Sequence, residues 1–149
     1  MAKPIIFVVE DQEELRESIC EELDERGYST VGAPHGDRAL TLLRKSAQPP
    51  ALILLDLLMP ERDGWEVVSA LKADARLREV PIVLMSAVAP HSSNLHAQGV
   101  SAALPKPFTM NELLFVVTRF VQPGDGPESK PVPAPAPAKK GRSRSKAKA

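Results

Sequence analysis

Short apolar runs recur along this chain with amphipathic stretches between them, and that alternation constrains the fold more than any other feature. Ile5–Val9, Ala51–Leu55, Pro81–Met85 and Val100–Leu104 are nearly continuous in apolar residues. Strands with one wet face alternate apolar with polar, so these runs suit strands covered on both faces. Between them lie helical patterns. Glu13–Arg26 carries Leu15, Ile19 and Leu23 at i, i+4 and i+8, and Gly27 closes it as a helix C-terminus prefers. Tyr28–Gly32 alternates briefly as a further strand, and Asp37–Lys45 is a second helix through Ala39, Leu40, Leu42 and Leu43. Asp63-Gly64 opens a third helix towards Ala75, and Ser92–Gln98 is a fourth, ended by Gly99. Thr109 caps a last helix with Glu112 at the third position, a capping box, and Leu113, Val116, Val117 and Phe120 form its apolar face. The pattern is (βα)5, with crossovers long enough for right-handed parallel pairing. A three-layer α/β sandwich is the expected fold.

Apolar periodicity stops at Gln122, so residues 1–122 are the expected folding unit and 123–149 a tail. A unit of that size buries roughly two thirds of its surface, enough for one core. The formal net charge of zero averages two unlike parts. Residues 1–122 carry 12 Lys/Arg and 17 Asp/Glu, a balance of −5; residues 123–149 carry 7 and 2, a balance of +5. No run approaches the roughly 20 apolar residues of a membrane span. Met-Ala-Lys-Pro leads straight into a strand without the layout of a signal peptide, and the one cysteine, Cys20, follows Ile19 on a helix as a packing residue. These features lead to the expectation of a cytoplasmic protein without membrane insertion.

The ends of the apolar runs carry the chemistry. Ile5–Val9 runs into Glu10 and Asp11, Ala51–Leu55 into Asp56, Pro81–Met85 into Ser86, and Val100–Leu104 leads to Lys106. In an open parallel sheet, ligands bind beyond the carboxyl ends of the strands. Neighbouring strands would therefore bring three carboxylates, a hydroxyl and an ammonium to one place. A carboxylate there can act as a nucleophile, aspartyl phosphate being one such covalent intermediate. Like charges so close raise one another's pKa unless a cation intervenes, and Mg2+ suits carboxylate oxygens. Taken singly, each residue has a plainer explanation: Asp56 as a turn residue, Glu10-Asp11 as a helix cap near Gln12, Lys106 as a solvated charge. Taken together, at the ends of different strands of one sheet, they are poorly explained by coincidence. His35, His91 and His96 read as surface residues, Trp65 as a partly buried packing residue near the acidic site, and a Walker-type phosphate loop is absent.

Residues 3–122 resemble the receiver domain of bacterial two-component response regulators. The matching text is Val-Val-Glu-Asp (8–11), Leu-Leu-Asp-Leu-Leu-Met-Pro (54–60), Asp-Gly (63–64), Met-Ser-Ala (85–87) and Lys-Pro-Phe (106–108). The resemblance implies a five-stranded parallel sheet in the order 2-1-3-4-5. It implies Asp56 as phosphoacceptor, supplied by a histidine kinase or phosphotransfer protein. Glu10, Asp11, Asp56 and the backbone carbonyl of Leu58 would hold Mg2+, Ser86 would be the switch hydroxyl, and Lys106 the phosphate-binding lysine, its bond to Pro107 typically cis. The implied role is signalling by altered contacts with a downstream protein target, and the only chemistry is self-modification, so no independent enzyme is expected.

Two positions depart from the family pattern. Receivers commonly carry Tyr or Phe three residues before the lysine, and Ala103 stands there. That departure puts the usual coupling of hydroxyl to aromatic ring in question, and makes a phosphorylation-independent docking module conceivable. Leu58 and Val88, two residues after Asp56 and Ser86, are apolar and orient no water, so a slowly hydrolysing phosphoryl-Asp56 is expected.

In the tail, Pro131–Pro137 favours polyproline II; at 3.1 Å per residue it would span roughly 20 Å. Residues 139–149 then place six Lys/Arg in eleven positions and cannot fold alone. They suit an electrostatic arm making sequence-tolerant nucleic-acid contact, or a solubilising extension, or an arm touching the acidic domain. Were all seven tail cations on phosphates, the salt slope would be about −6.

Overall fold

The computed structural model describes residues 3–59, 64–87, 95 and 99–124. Among these, five strands and four helices follow in the order β1 (Ile5–Val9), α1 (Glu13–Glu25), β2 (Ser29–Ala33), α2 (Gly36–Lys45), β3 (Leu52–Asp56), α3 (Gly64–Lys72), β4 (Ile82–Ser86), β5 (Ala102–Pro105) and α4 (Met110–Phe120). The strands form one sheet, β2-β1-β3-β4-β5, with every pairing parallel. The helix expected over 92–98 lies outside the described residues.

The apolar runs are continuous because the sheet is covered twice. Phe7, Val9, Ile53, Leu55, Ile82 and Leu84 face α2 and α3 on one side, where Leu43 and Leu71 are fully buried. The alternate residues Ile6, Val8, Leu52, Leu54, Val83 and Met85 face α1 and α4, with Ile19, Leu23, Leu113 and Val117. Each such side chain contributes about 1.5–3 kcal/mol by leaving water, so register is held firmly.

The elements depart from their expected bounds for local reasons. β2 begins at Ser29, because Tyr28 is spent elsewhere: its ring is buried and its hydroxyl donates to the Val121 carbonyl at 2.7 Å. α2 begins at Gly36 with His35 as N-cap, its Nδ1 accepting from the Arg38 N–H at 3.2 Å. α3 stops at Lys72, short of Ala75, as Asp74 turns the chain by accepting from the Arg76 N–H at 2.9 Å. The capping box at Thr109 and Glu112 forms as expected, but α4 is rolled so that Leu114 is buried while Val116 and Phe120 are half-buried at the rim. Gly27, at φ 100°, ends α1 in the left-handed region. After α4 the chain returns beneath the start of β1, where the Gly124 N–H donates to the Gly27 carbonyl at 2.9 Å. No described helix is long and apolar enough to cross a membrane.

Candidate functional site

Parallel pairing puts the carboxyl ends of β1, β3, β4 and β5 at one rim, and backbone hydrogen bonds extend the ladder into the loops. The Glu10 N–H donates to the Ala33 carbonyl at 3.0 Å, Leu57 to Met85 at 3.0 Å, and Lys106 to Ser86 at 2.8 Å. The first residues past each strand are therefore held almost as firmly as the strands.

At that rim the carboxylates of Glu10, Asp11 and Asp56 each offer an oxygen within 4.8 Å of the others. Glu10 and Asp56 are buried and Asp11 is exposed, so the cluster opens to solvent on one side. The Lys106 ammonium lies 2.9 Å from Glu10 Oε1 and 3.6 Å from Asp56 Oδ2. Its nearest partner is thus Glu10. The Leu58 N–H donates to Asp56 Oδ1 at 3.2 Å, while the Leu58 side chain stands exposed. Ser86 is buried at the last position of β4, in register with Pro105 of β5. The Lys106–Pro107 bond is cis. Pro60–Asp63 and Val88 lie outside the described residues.

Burial pushes the Asp56 carboxyl up to about 7; the Glu10 charge and a hydrogen bond with Asp11 add to this, against the pull of Lys106 and the Leu58 N–H. One ammonium does not neutralise three clustered carboxylates. Their hard oxygen donors and this excess of negative charge fit a divalent cation such as Mg2+. Gly64 has a steric basis here: its N–H donates to the Leu57 carbonyl at 2.7 Å, and a Cβ on it would sit 2.8 Å from Leu57 Cα. The start of α3 is thereby pressed against the backbone at the end of β3, where Asp56 stands.

The structure adds contacts that the sequence reading did not contain. Arg16 Nη1 donates to the Glu10 carbonyl at 2.8 Å, and the Gln12 N–H donates to Glu10 Oε2 at 3.1 Å. The one hint to Arg16 is a cation in the opening turns of a helix that begins with Glu13 and Glu14, against the helix dipole. Ala103 lies on β5 opposite Leu84, half-buried against the α2–α3 side of the core.

Among known proteins, the response regulator receiver domain model matches residues 6–118. The chain is 32% identical over 111 residues to the phosphate regulon transcriptional regulatory protein PhoB of Klebsiella pneumoniae, covering 73% of this chain and 48% of that one. It is 35% identical over 130 residues to the response regulator MprA of Mycobacterium sp. (strain KMS), covering 83% and 54%. The chain therefore spans about half the length of these curated relatives. Of solved structures, the chemotaxis protein CheY4 of Vibrio cholerae is similar at TM-score 0.74 and 25% identity, over 80% of this chain and 100% of that one. The response regulator TrrA of Thermotoga maritima, solved in complex with Mg(2+)-BeF, is similar at TM-score 0.69 and 29% identity, over 79% and 99%. The sheet order and the acidic rim agree with these matches: the chain belongs to the response regulator receiver domain family of two-component systems.

Proposed function

We propose that the domain accepts a phosphoryl group on Asp56, with Mg2+ as cofactor and a histidine kinase or phosphotransfer protein as donor. The observation that carries this reading is the joining of Glu10, Asp11, Asp56 and Lys106 at one rim of the sheet. The relative solved with Mg(2+)-BeF supports the choice of cation. Glu10, Asp11, Asp56 and the Leu58 carbonyl would hold the ion, which when bound neutralises carboxylate and phosphoryl oxygens together. Asp56 must be ionised to attack, and a neighbouring cation favours the ionised form. A carboxylate oxygen of Asp56 then bonds to phosphorus as the donor's P–N bond breaks, and the departing imidazole nitrogen keeps the electron pair. The Leu58 N–H orients Oδ1, while Lys106 stands beside Oδ2, where charge on the transferring group accumulates. The Ser86 hydroxyl would donate to a phosphoryl oxygen. Signalling then follows through altered contacts with a protein target.

Incubation with Mg2+ and acetyl phosphate, followed by mass spectrometry, tests the reading. An adduct of about 80 Da is expected on the native protein and not on Asp56→Asn. Absence of the adduct, or its persistence in the variant, refutes it. A second reading rests on the charge split, −5 over residues 1–122 and +5 over 123–149: the tail would contact nucleic acid, with the receiver modulating it.

A further inference from the structure

Arg16 stands beside the site without a part in the transfer step. We infer that it is a positioning residue for the acidic pair: its guanidinium holds the backbone carbonyl of Glu10, and so sets where the Glu10 and Asp11 carboxylates stand relative to Asp56. This inference rests on the Mg2+-binding reading of that cluster.

Glu10 is the last link between β1 and the turn into α1, and its polar atoms are used from several directions. Its N–H donates to the Ala33 carbonyl at 3.0 Å, and its carbonyl accepts from Arg16 Nη1 at 2.8 Å. Its carboxylate accepts from Lys106 at 2.9 Å and from the Gln12 N–H at 3.1 Å. The two backbone bonds come from β2 and α1, the two side-chain bonds from β5's far end and the turn itself. Arg16 thus acts on the peptide and not on the carboxylate. Glu10 is fully buried, so the first carbonyl past β1 needs a partner, and a side chain from the first turns of α1 supplies it. The same bond spans Asp11, whose position follows from the peptide thus held.

A second observation concerns the path of the side chain. The Arg16 stem runs over Gly32 of β2, where an added Cβ would lie 3.2 Å from Cδ and 3.4 Å from Cγ. Gly32 pairs with Val8, one register position before the Ala33 that holds the Glu10 N–H. β2 therefore anchors one side of the Glu10 peptide and leaves the passage by which Arg16 reaches the other. An arginine at the positive end of a helix opposes the macrodipole, which leaves the Glu10 carbonyl as the contact that accounts for its placement.

Mg2+ titration by calorimetry, with thermal unfolding in parallel, tests the inference. Arg16→Met keeps the stem and removes the donor; a dissociation constant for Mg2+ raised about tenfold is expected, as for other partners one step removed from a metal. Arg16→Lys, which keeps a donor and the charge, should return to within about threefold of the native value. Arg26→Met removes the same charge at the C-cap of the same helix, away from the site, and should leave Mg2+ affinity unchanged. Gly32→Val should weaken Mg2+ binding in the native background but add nothing to Arg16→Met. If Arg16→Met lowers the melting temperature and binds Mg2+ like the native protein, the role is structural only and the inference falls. Equal losses in Arg16→Met and Arg26→Met would overturn it in favour of long-range charge. A native protein that binds no Mg2+ removes the underlying reading, and this inference with it.

Discussion

Asp56 is surrounded so that, without a cation, its acid form is favoured near neutrality. With its carboxyl pushed up to about 7 from 3.8, the folded state holds a proton that the unfolded chain has released. The sign follows: metal-free stability falls as pH rises from about 4 to 7, because the unfolded state binds fewer protons there. The melting temperature of metal-free protein should fall between about pH 4 and 7. Asp56→Asn should flatten that slope, and added Mg2+ should restore stability at the upper end. A second prediction concerns Leu58, whose side chain is 56% exposed beside Asp56. Leu58→Asn, which can orient a water without acting as a base, should speed loss of the phosphoryl label by about tenfold, less than the roughly 100-fold or more of a full general-base contribution. Decay of the adduct followed by mass spectrometry checks this, and an unchanged lifetime contradicts it.

At the scale of elements, the junction of β3 with α3 matters most to the site. A Cβ on Gly64 would meet Leu57 Cα at 2.8 Å and the Asp56 carbonyl at 3.0 Å, both of them backbone atoms. Gly64→Ala should cost about 1–3 kcal/mol in denaturant unfolding, as overpacking does, and slow phosphorylation by shifting the backbone at Asp56 and Leu57. The strands and most helix positions were legible in the residues, since two-sided burial writes itself as continuous apolar runs and one-sided burial as a 3.6-residue stripe. The exceptions are instructive. His35 caps α2 through a ring nitrogen, Asp74 ends α3 through its own side chain, and Tyr28 leaves β2 to bond Val121. Each is a choice between local hydrogen bonds, or a contact 93 positions away in the case of Tyr28, that periodicity does not encode.

On the whole molecule, the chemistry sits at one end of the sheet and the closing contacts at the other. Tyr28 and Gly27 receive the chain after α4 at the pole opposite the acidic rim. Burial pushes the Tyr28 phenol up to about 12, so stability should fall as pH rises from about 10 to 12, and Tyr28→Phe should make that fall shallower. At neutral pH, Tyr28→Phe should cost about 1–2 kcal/mol for the lost bond to Val121. A chain cut after Gly124 keeps the described contacts and should unfold at the native temperature. Under the nucleic-acid reading it should also lose DNA retention at low salt; equal retention by both forms rules that reading out.

The residue order alone specifies the layering, the parallel sheet and which residues stand at the strand ends, because burial on two faces and on one face leave different periods in the text. It also implies the acidic cluster, since a parallel sheet sends all carboxyl ends to one rim. Folding in three dimensions settles how those residues are paired. Lys106 meets Glu10 across 96 positions of sequence, and Arg16 takes the Glu10 carbonyl through a gap left by Gly32. Such pairings depend on distances of a few tenths of an ångström between elements remote in the chain, which no local pattern records.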